Sequence, residues 1–487
     1  MKPFYFTMHA LEKLSLHSCR LGFASKNQGR VPRILAKSSQ ALPSREVGRM
    51  LQLIALFFLV GCATPNKPYW IVEKDGVVEP LKPASKDPKF SNRLAIVEFD
   101  EQGDVWSQKQ IQAAQTMVKE SPKPPLLLVF IHGWQNNAHP KNLDLETFNK
   151  LLLELNSTKS IYRKFTVNGV YMGWRGATFF KESDWTGLGW FLRQTSFWSR
   201  RSATDRVAGV PLTGALAKLS AAARGAKSGR GVTVFIGHSF GGRIMERALG
   251  QALVSQAAFS KSDELELLAD LTILINPASE SLYARNLRVT TKSQKRPAIV
   301  SITAENDVAT SFLWPAGLEL ASAFGGFRNY SYRSIPQESQ RGYITKTTGH
   351  DGRMLTHAIE RASAGSLPQT DEPFGFNLAR AKEGAFLIRD RNGIPIPYRI
   401  RRLDKSKDGK GVTWMLPDGP YWVMRVPPEV LDGHSGQLGT RGIFSDQVID
   451  LLGAVFSLAK AGDINATPTV TLQNDPNAGE PSGLPSQ

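Results

Sequence analysis

Residues 232–241 read VTVFIGHSFG, a β-branched, strand-like run that enters Gly237-His238-Ser239-Phe240-Gly241 and gives way to a helical pattern. A serine hydroxyl is a weak nucleophile until a base takes its proton. A strand that turns sharply into a helix lifts such a serine clear of the sheet. The turn demands glycine two places before and two after, because a Cβ there would meet the neighbouring strand or helix. Gly-x-Ser-x-Gly alone is a weak signal; the strand ahead of it and the helix behind it make Ser239 a candidate nucleophile. The alternative is a glycine-tolerant turn in an ordinary strand–helix junction. About 105 residues upstream a second apolar run, PLLLVFIHGW, ends in His132-Gly133-Trp134.

These residues need a frame. From about 92 to 310 short apolar runs alternate with helical patterns, which predicts an α/β fold with a mostly parallel central sheet flanked by helices. Strands are predicted at Leu94–Phe99, Leu126–His132, Val167–Met172, Val232–Ile236, Leu271–Ile275, Ala298–Thr303 and Tyr421–Val426. Helices are predicted at 143–156, 240–258 and 444–461, where apolar residues recur at spacings of three and four. Between 384 and 415 RNG and KDG turns separate short strand-like runs, the pattern of a small β-rich insertion within a longer inserted segment at about 308–415. The domain spans 92–462, and a Pro/Asn/Ser/Gly tail at 463–487 is expected to be disordered.

The segments VFIHGW, GVYMGWRG, GHSFGG, LINPA and ITAENDVAT, in this order, resemble bacterial α/β-hydrolase superfamily proteins of the esterase and lipase kind over roughly residues 92–460. The resemblance implies an α/β-hydrolase fold and a serine hydrolase cleaving a carboxylic ester or thioester through an acyl-enzyme. It implies an acid just past a late strand, which PAIVSITAEND supplies as Asp307, with Glu305 as a neighbour in competition. A plain role for Asp307 as a turn or helix cap before Ala309 is the other reading. The order Ser, Asp, His admits His350, His357 and His434 as the base. His434 leads, since the base in this fold sits after the last strand and before the closing helix. His357 and His350 remain alternatives, because a strand at 329–335 could be the last of the core. The HGW loop would lend a backbone N–H near Gly133 or Trp134, and the helix start the N–H of Phe240, to an oxyanion hole.

Length and composition fit one large domain: 487 residues, 41% hydrophobic and 21% charged. Two cysteines, Cys19 and Cys62, exclude a disulfide framework and a multi-thiolate metal site. Neither a metal motif nor a phosphate-binding loop is present, and no cofactor is implied. Cys62 closes MLQLIALFFLVGC, where the 11-residue stretch 51–61 follows Arg45 and Arg49, too short to span a bilayer and shaped like an export signal. Leu59-Val60-Gly61-Cys62 resembles a bacterial lipobox, which implies lipidation of Cys62, a Pro/Lys/Ser-rich tether over 62–91, and anchoring in the cell envelope. Ala63 after the cysteine points to the outer membrane. The net charge is +17, but nine Lys/Arg against two Asp/Glu in residues 1–61 leave +10 on the rest, too thin for nucleic acid to be the expected partner.

The expected partners are a small-molecule or lipid ester and, through the anchor, the membrane. FFKESDWTGLGWFLRQTSFW at 179–198 is aromatic-rich and reads as a lid, an acyl-pocket wall or a core helix pair. Arg175 could clamp an anionic group or pair with a carboxylate. The basic run over 388–410 reads as a solvated hairpin face or a contact for anionic phosphates. A non-catalytic scaffold of the same fold that binds an envelope ligand or partner protein is the alternative function.

Overall fold

The computed structural model describes residues 67–74, 77–80, 93–157, 164–177, 188–259, 268–290, 297–325, 331–332, 335–362, 385–403, 421–435 and 443–461. The expected signal segment with Cys62, most of the tether, the aromatic residues 179–187, the basic residues 404–410 and the tail from 463 lie outside them.

The strands in chain order are β1 (Ile71–Lys74), β2 (Val77–Pro80), β3 (Leu94–Glu98), β4 (Pro125–Ile131), β5 (Thr166–Gly173), β6 (Val232–His238), β7 (Leu271–Ile275), β8 (Ile299–Ala304), β9 (Ser331–Tyr332), β10 (Ile335–Ser339), β11 (His357–Arg361), β12 (Ala385–Arg389), β13 (Pro395–Arg402) and β14 (Tyr421–Val426). The helices are α1 (Gln108–Lys119), α2 (Leu143–Ser157), α3 (Leu188–Val207), α4 (Val210–Arg224), α5 (Phe240–Phe259), α6 (Ser281–Thr290), α7 (Trp314–Gly325), α8 (Gln340–Ile344) and α9 (Asp446–Ala461).

Ten strands form one sheet in the order β12-β13-β11-β14-β8-β7-β6-β4-β5-β3. Pairing is parallel from β3 through β11 and antiparallel only at β13 and β12. This is a mixed α/β architecture with a mostly parallel sheet between helices. Its central strands β4, β6, β7 and β8 are nearly unbroken apolar runs because both of their faces are covered. In β4 the alternation of a strand divides one run between two layers: Leu126, Leu128 and Phe130 join one core with Phe148 and Leu152 of α2 and Leu451 and Val455 of α9. Leu127, Val129 and Ile131 join the other, with Ile111 and Val118 of α1, Leu216 of α4, and Ile244 and Met245 of α5. Helix α1 shows how a solvated helix finds this sheet: Ile111, Ala114 and Val118 are buried at helical spacing while its other faces stay polar.

Three features depart from the sequence reading. His357 lies in a strand, β11, inserted between β14 and β13. The hairpin β12–β13, expected as a small insertion, continues the central sheet: β13 pairs with β11 from His357↔Arg402 to Arg361↔Tyr398. The reason is burial, since Phe386, Ile388, Tyr398 and Ile400 belong to the same core layer as α9 and cover what would be an open edge. Of the segment near 329–335, the described residues Ser331, Tyr332 and Ile335 lie outside that sheet, in the pair β9–β10. No helix among the described residues is long and apolar enough to cross a membrane.

Candidate active site

Ser239 sits between the end of β6 and the first residue of α5, with φ of +54°. For a residue with a Cβ this left-handed backbone is strained and must be held from outside. It is held at both ends: its N–H donates to Ile275 O (3.0 Å), and its carbonyl accepts from Ala278 N (3.0 Å) and Arg243 N (3.2 Å). The flanking glycines are required by contact. A Cβ at Gly237 would fall 2.7 Å from Gly241 O, and one at Gly241 would run into the Ile131 carbonyl and lie 2.6 Å from His132 O.

Ser239 Oγ lies 2.7 Å from His434 Nε2, and His434 Nδ1 lies 2.8 Å from Asp307 Oδ2. A carboxylate oxygen accepts, so Nδ1 carries the imidazole proton and the Nε2 lone pair faces the serine hydroxyl. Asp307 is buried, and burial alone would raise its pKa. The facing His434 and bonds from the Thr310 hydroxyl (2.5 Å) and backbone N–H (3.2 Å) outweigh burial and bring it down to about 2. Both sequence readings of Asp307 meet in one side chain: Oδ1 caps the turn at Ala309 N (3.0 Å) while Oδ2 faces the histidine.

The 127 residues between Asp307 and His434 are spanned by the sheet. β14 lies beside β8 in parallel, register running from Tyr421↔Ile299 to Val426↔Ala304, so the chain leaves both strands at the same edge. Asn276 and Asn306 then fasten the histidine loop. Asn276 Nδ2 lies within hydrogen-bond reach of Gly433 O (2.9 Å) and His434 O (2.8 Å), and its Oδ1 accepts from Ala304 N (2.8 Å). Asn306 accepts from Gly433 N (2.8 Å) and donates to Asp432 Oδ1 (2.7 Å). Neither asparagine carries a role in the sequence reading. Their signal was faint: Asn276 ends an apolar strand in LINPA, and it takes positive φ, +45°, which asparagine tolerates better than most residues.

The other two histidines go elsewhere. His357 is buried on β11, its ring 4.2 Å from that of Trp422 and its Nδ1 2.8 Å from Thr356 Oγ1. His350 closes the short turn Thr348–His350; burial lowers its pKa to about 4. Neither imidazole bonds to Ser239 or Asp307 among the described contacts.

Gly133 lies against the serine: a Cβ there would come within 2.8 Å of Ser239 Cβ. His132 sets this loop. Its Nε2 accepts from Trp174 N (3.1 Å), so its Nδ1 donates to Gly133 O (3.0 Å), and its carbonyl takes the Trp174 indole N–H (2.9 Å). Burial keeps that imidazole neutral, with a pKa of about 4. Opposite, Phe240 opens α5, so its N–H has no acceptor within the helix. Trp134 donates through Nε1 to Ser196 Oγ (3.1 Å) and joins an aromatic wall, Trp134–Phe197–Phe240–Trp314. Arg175 pairs with Glu101 (2.6 Å), which Arg200 also holds (2.7 Å). Among the described residues no group of three or more His, Cys, Asp or Glu is arranged to hold a metal ion.

No family model matches the chain, and no curated protein matches it. Among solved structures it is similar to an inhibited esterase B from Lactobacillus rhamnosis, at 13% identity, covering 58% of this chain and 81% of that one, with a TM-score of 0.22. A likeness of that size lends no support to a shared activity.

Proposed function

We propose that the protein is a serine hydrolase with an α/β-hydrolase fold that cleaves a carboxylic ester or thioester through an acyl-enzyme on Ser239. The observation that carries this reading is the chain Ser239 Oγ–His434 Nε2–Nδ1–Asp307 Oδ2, at 2.7 and 2.8 Å, on a strained serine at a strand-to-helix elbow. His434 Nε2 takes the hydroxyl proton as Oγ attacks the acyl carbon. Asp307 holds the tautomer and stabilises the imidazolium. The developing oxyanion meets the N–H of Phe240 and an N–H of the Gly133–Trp134 loop. His434 then returns the proton to the leaving alcohol or thiol, and a water deprotonated by the same nitrogen releases the acyl group. Trp134 and Phe197, the partly exposed members of the aromatic cluster built on buried Phe240 and Trp314, suit an apolar acyl or alcohol group, including a lipid ester.

Hydrolysis of p-nitrophenyl esters and an acyl thioester tests this. Turnover abolished by Ser239→Ala, and lowered by His434→Ala by about four to six orders of magnitude, is the expected result; activity unchanged in folded Ser239→Ala contradicts it. We further propose that Cys62 is lipidated and holds the domain at the bacterial envelope, on the outer membrane, a reading supported by LVGC after an apolar run and two arginines.

A further inference from the structure

The residue ahead of the nucleophile, His238, is buried and engaged on two sides. Its Nε2 lies 2.9 Å from the main-chain carbonyl of His434. A carbonyl only accepts, so this nitrogen carries a proton. Its Nδ1 faces Asp144 Oδ2, on the first turn of α2, at 3.7 Å. Both of those atoms are buried and neither has a hydrogen-bond partner. A bare Nδ1 would set its lone pair 3.7 Å from a buried carboxylate oxygen, an unfavourable arrangement in a low-dielectric site. A proton on Nδ1 turns the conflict into an attraction. The same ring also lies against the opposite loop, since a Cβ on Gly133 would sit 3.3 Å from Nδ1. One imidazole is thus wedged between the loop that carries His434 and the loop that lies on Ser239.

We propose that Asp144 and an Nδ1-protonated His238 form a second carboxylate–imidazolium ion pair beside Ser239, and that this pair is a positioning device that holds the His434 and Gly133 loops in place. The kinetic part of this rests on the hydrolase reading above; the proton itself does not. The charged and titratable groups facing His238 come from every element around it: Asp144 from α2, His132 from the end of β4, Asp307 from beyond β8, and His434 from the loop after β14. Burial would push its pKa down; the Asp144 carboxylate, followed by the His434 carbonyl and Asp307, outweighs that and raises it. The imidazolium form therefore persists where a solvated histidine has lost its proton. A charge-assisted donor is shorter and stiffer than a neutral one, which suits a group that shares the His434 carbonyl with Asn276.

Two measurements on the full-length chain test the pair. In nitrogen-resolved NMR of ¹⁵N-histidine protein at pH 7, His238, assigned by its loss in His238→Gln, is expected to show protons on both ring nitrogens. Asp144→Asn is expected to leave Nδ1 bare and Nε2 protonated, because an amide can donate to Nδ1. A bare Nδ1 in the unmodified chain overturns the proposal. In ester kinetics, Asp144→Asn is expected to lower kcat at least tenfold with KM within twofold. His238→Ala is expected to lower it about a hundredfold, and His238→Gln, which keeps a donor near the His434 carbonyl, to recover part of that loss. A kcat for folded Asp144→Asn within twofold of the unmodified chain overturns the positioning role. If the unmodified chain turns over no ester, the hydrolase reading fails, and the NMR result alone still decides whether Nδ1 is protonated.

Discussion

Asp307 accepts from a backbone turn with one oxygen and faces His434 with the other, so its ionisation is tied both to folding and to the base. Its pKa in the folded chain, about 2, lies below its ordinary 3.8. The stabilisation that this represents, about 2 to 3 kcal/mol, is complete above about pH 4 and is lost as the pH falls through about 2. Urea unfolding is expected to show that Asp307→Asn narrows the stability gap between pH 5 and pH 2.5 by about 1.5 kcal/mol, the share of that stabilisation lost by pH 2.5; an unchanged gap would mean that its carboxylate is not held low. Asn276 is a second case. Asn276→Ala removes bonds to Gly433, His434 and Ala304 at a positive-φ site, and is expected to cost about 2 to 3 kcal/mol in unfolding measurements and to lower ester turnover more than tenfold. Ser239 was marked by its glycines between a strand and a helix, and Asp307 by the resemblance, which implies an acid just past a late strand. Asn276 and Asp144 were not, because a side chain that braces a loop from a distant element leaves no local pattern.

At the scale of elements, the elbow is a contact problem. Gly241→Ala would press a methyl group onto the fixed carbonyls of Ile131 and His132, with no flexible side chain to yield. Thermal unfolding is expected to show a loss of about 3 kcal/mol, with ester turnover falling alongside; a neutral substitution would mean that α5 does not lie this close to β4. The predicted strands from β3 to β8 match the observed ones to within about two residues, because doubly covered strands read as unbroken apolar runs. β11 was missed. HAIER is five residues long, carries three titratable side chains and has only one face in the core, so neither length nor hydrophobicity marks it. The β12–β13 hairpin was legible as a hairpin from its RNG turn. Its place on the sheet depends on contacts remote in sequence, such as Arg389 with Asp450 of α9 (2.8 Å).

For the whole molecule, the sheet order closes the distance between Ser239, Asp307 and His434. Parallel β14 delivers the histidine loop to the edge where β8 delivers the acid. Nothing in the spacing of His434 required this; the pattern of a late strand followed by a closing helix carried the inference. The envelope reading makes its own demand at this scale: in cell fractionation the intact chain is expected in the membrane fraction and Cys62→Ser in the soluble one, and equal distribution of the two would rule out the anchor. The central claim is that Ser239 is a nucleophile activated by His434. The most direct measurement is labelling of the folded protein with a fluorophosphonate, the adduct mapped by mass spectrometry, with His434→Ala, His357→Ala and His350→Ala alongside. The account predicts a phosphonyl adduct on Ser239 that is lost in His434→Ala and retained in the other two. A folded chain without that adduct, or one whose labelling depends on His357 or His350 instead, would contradict it.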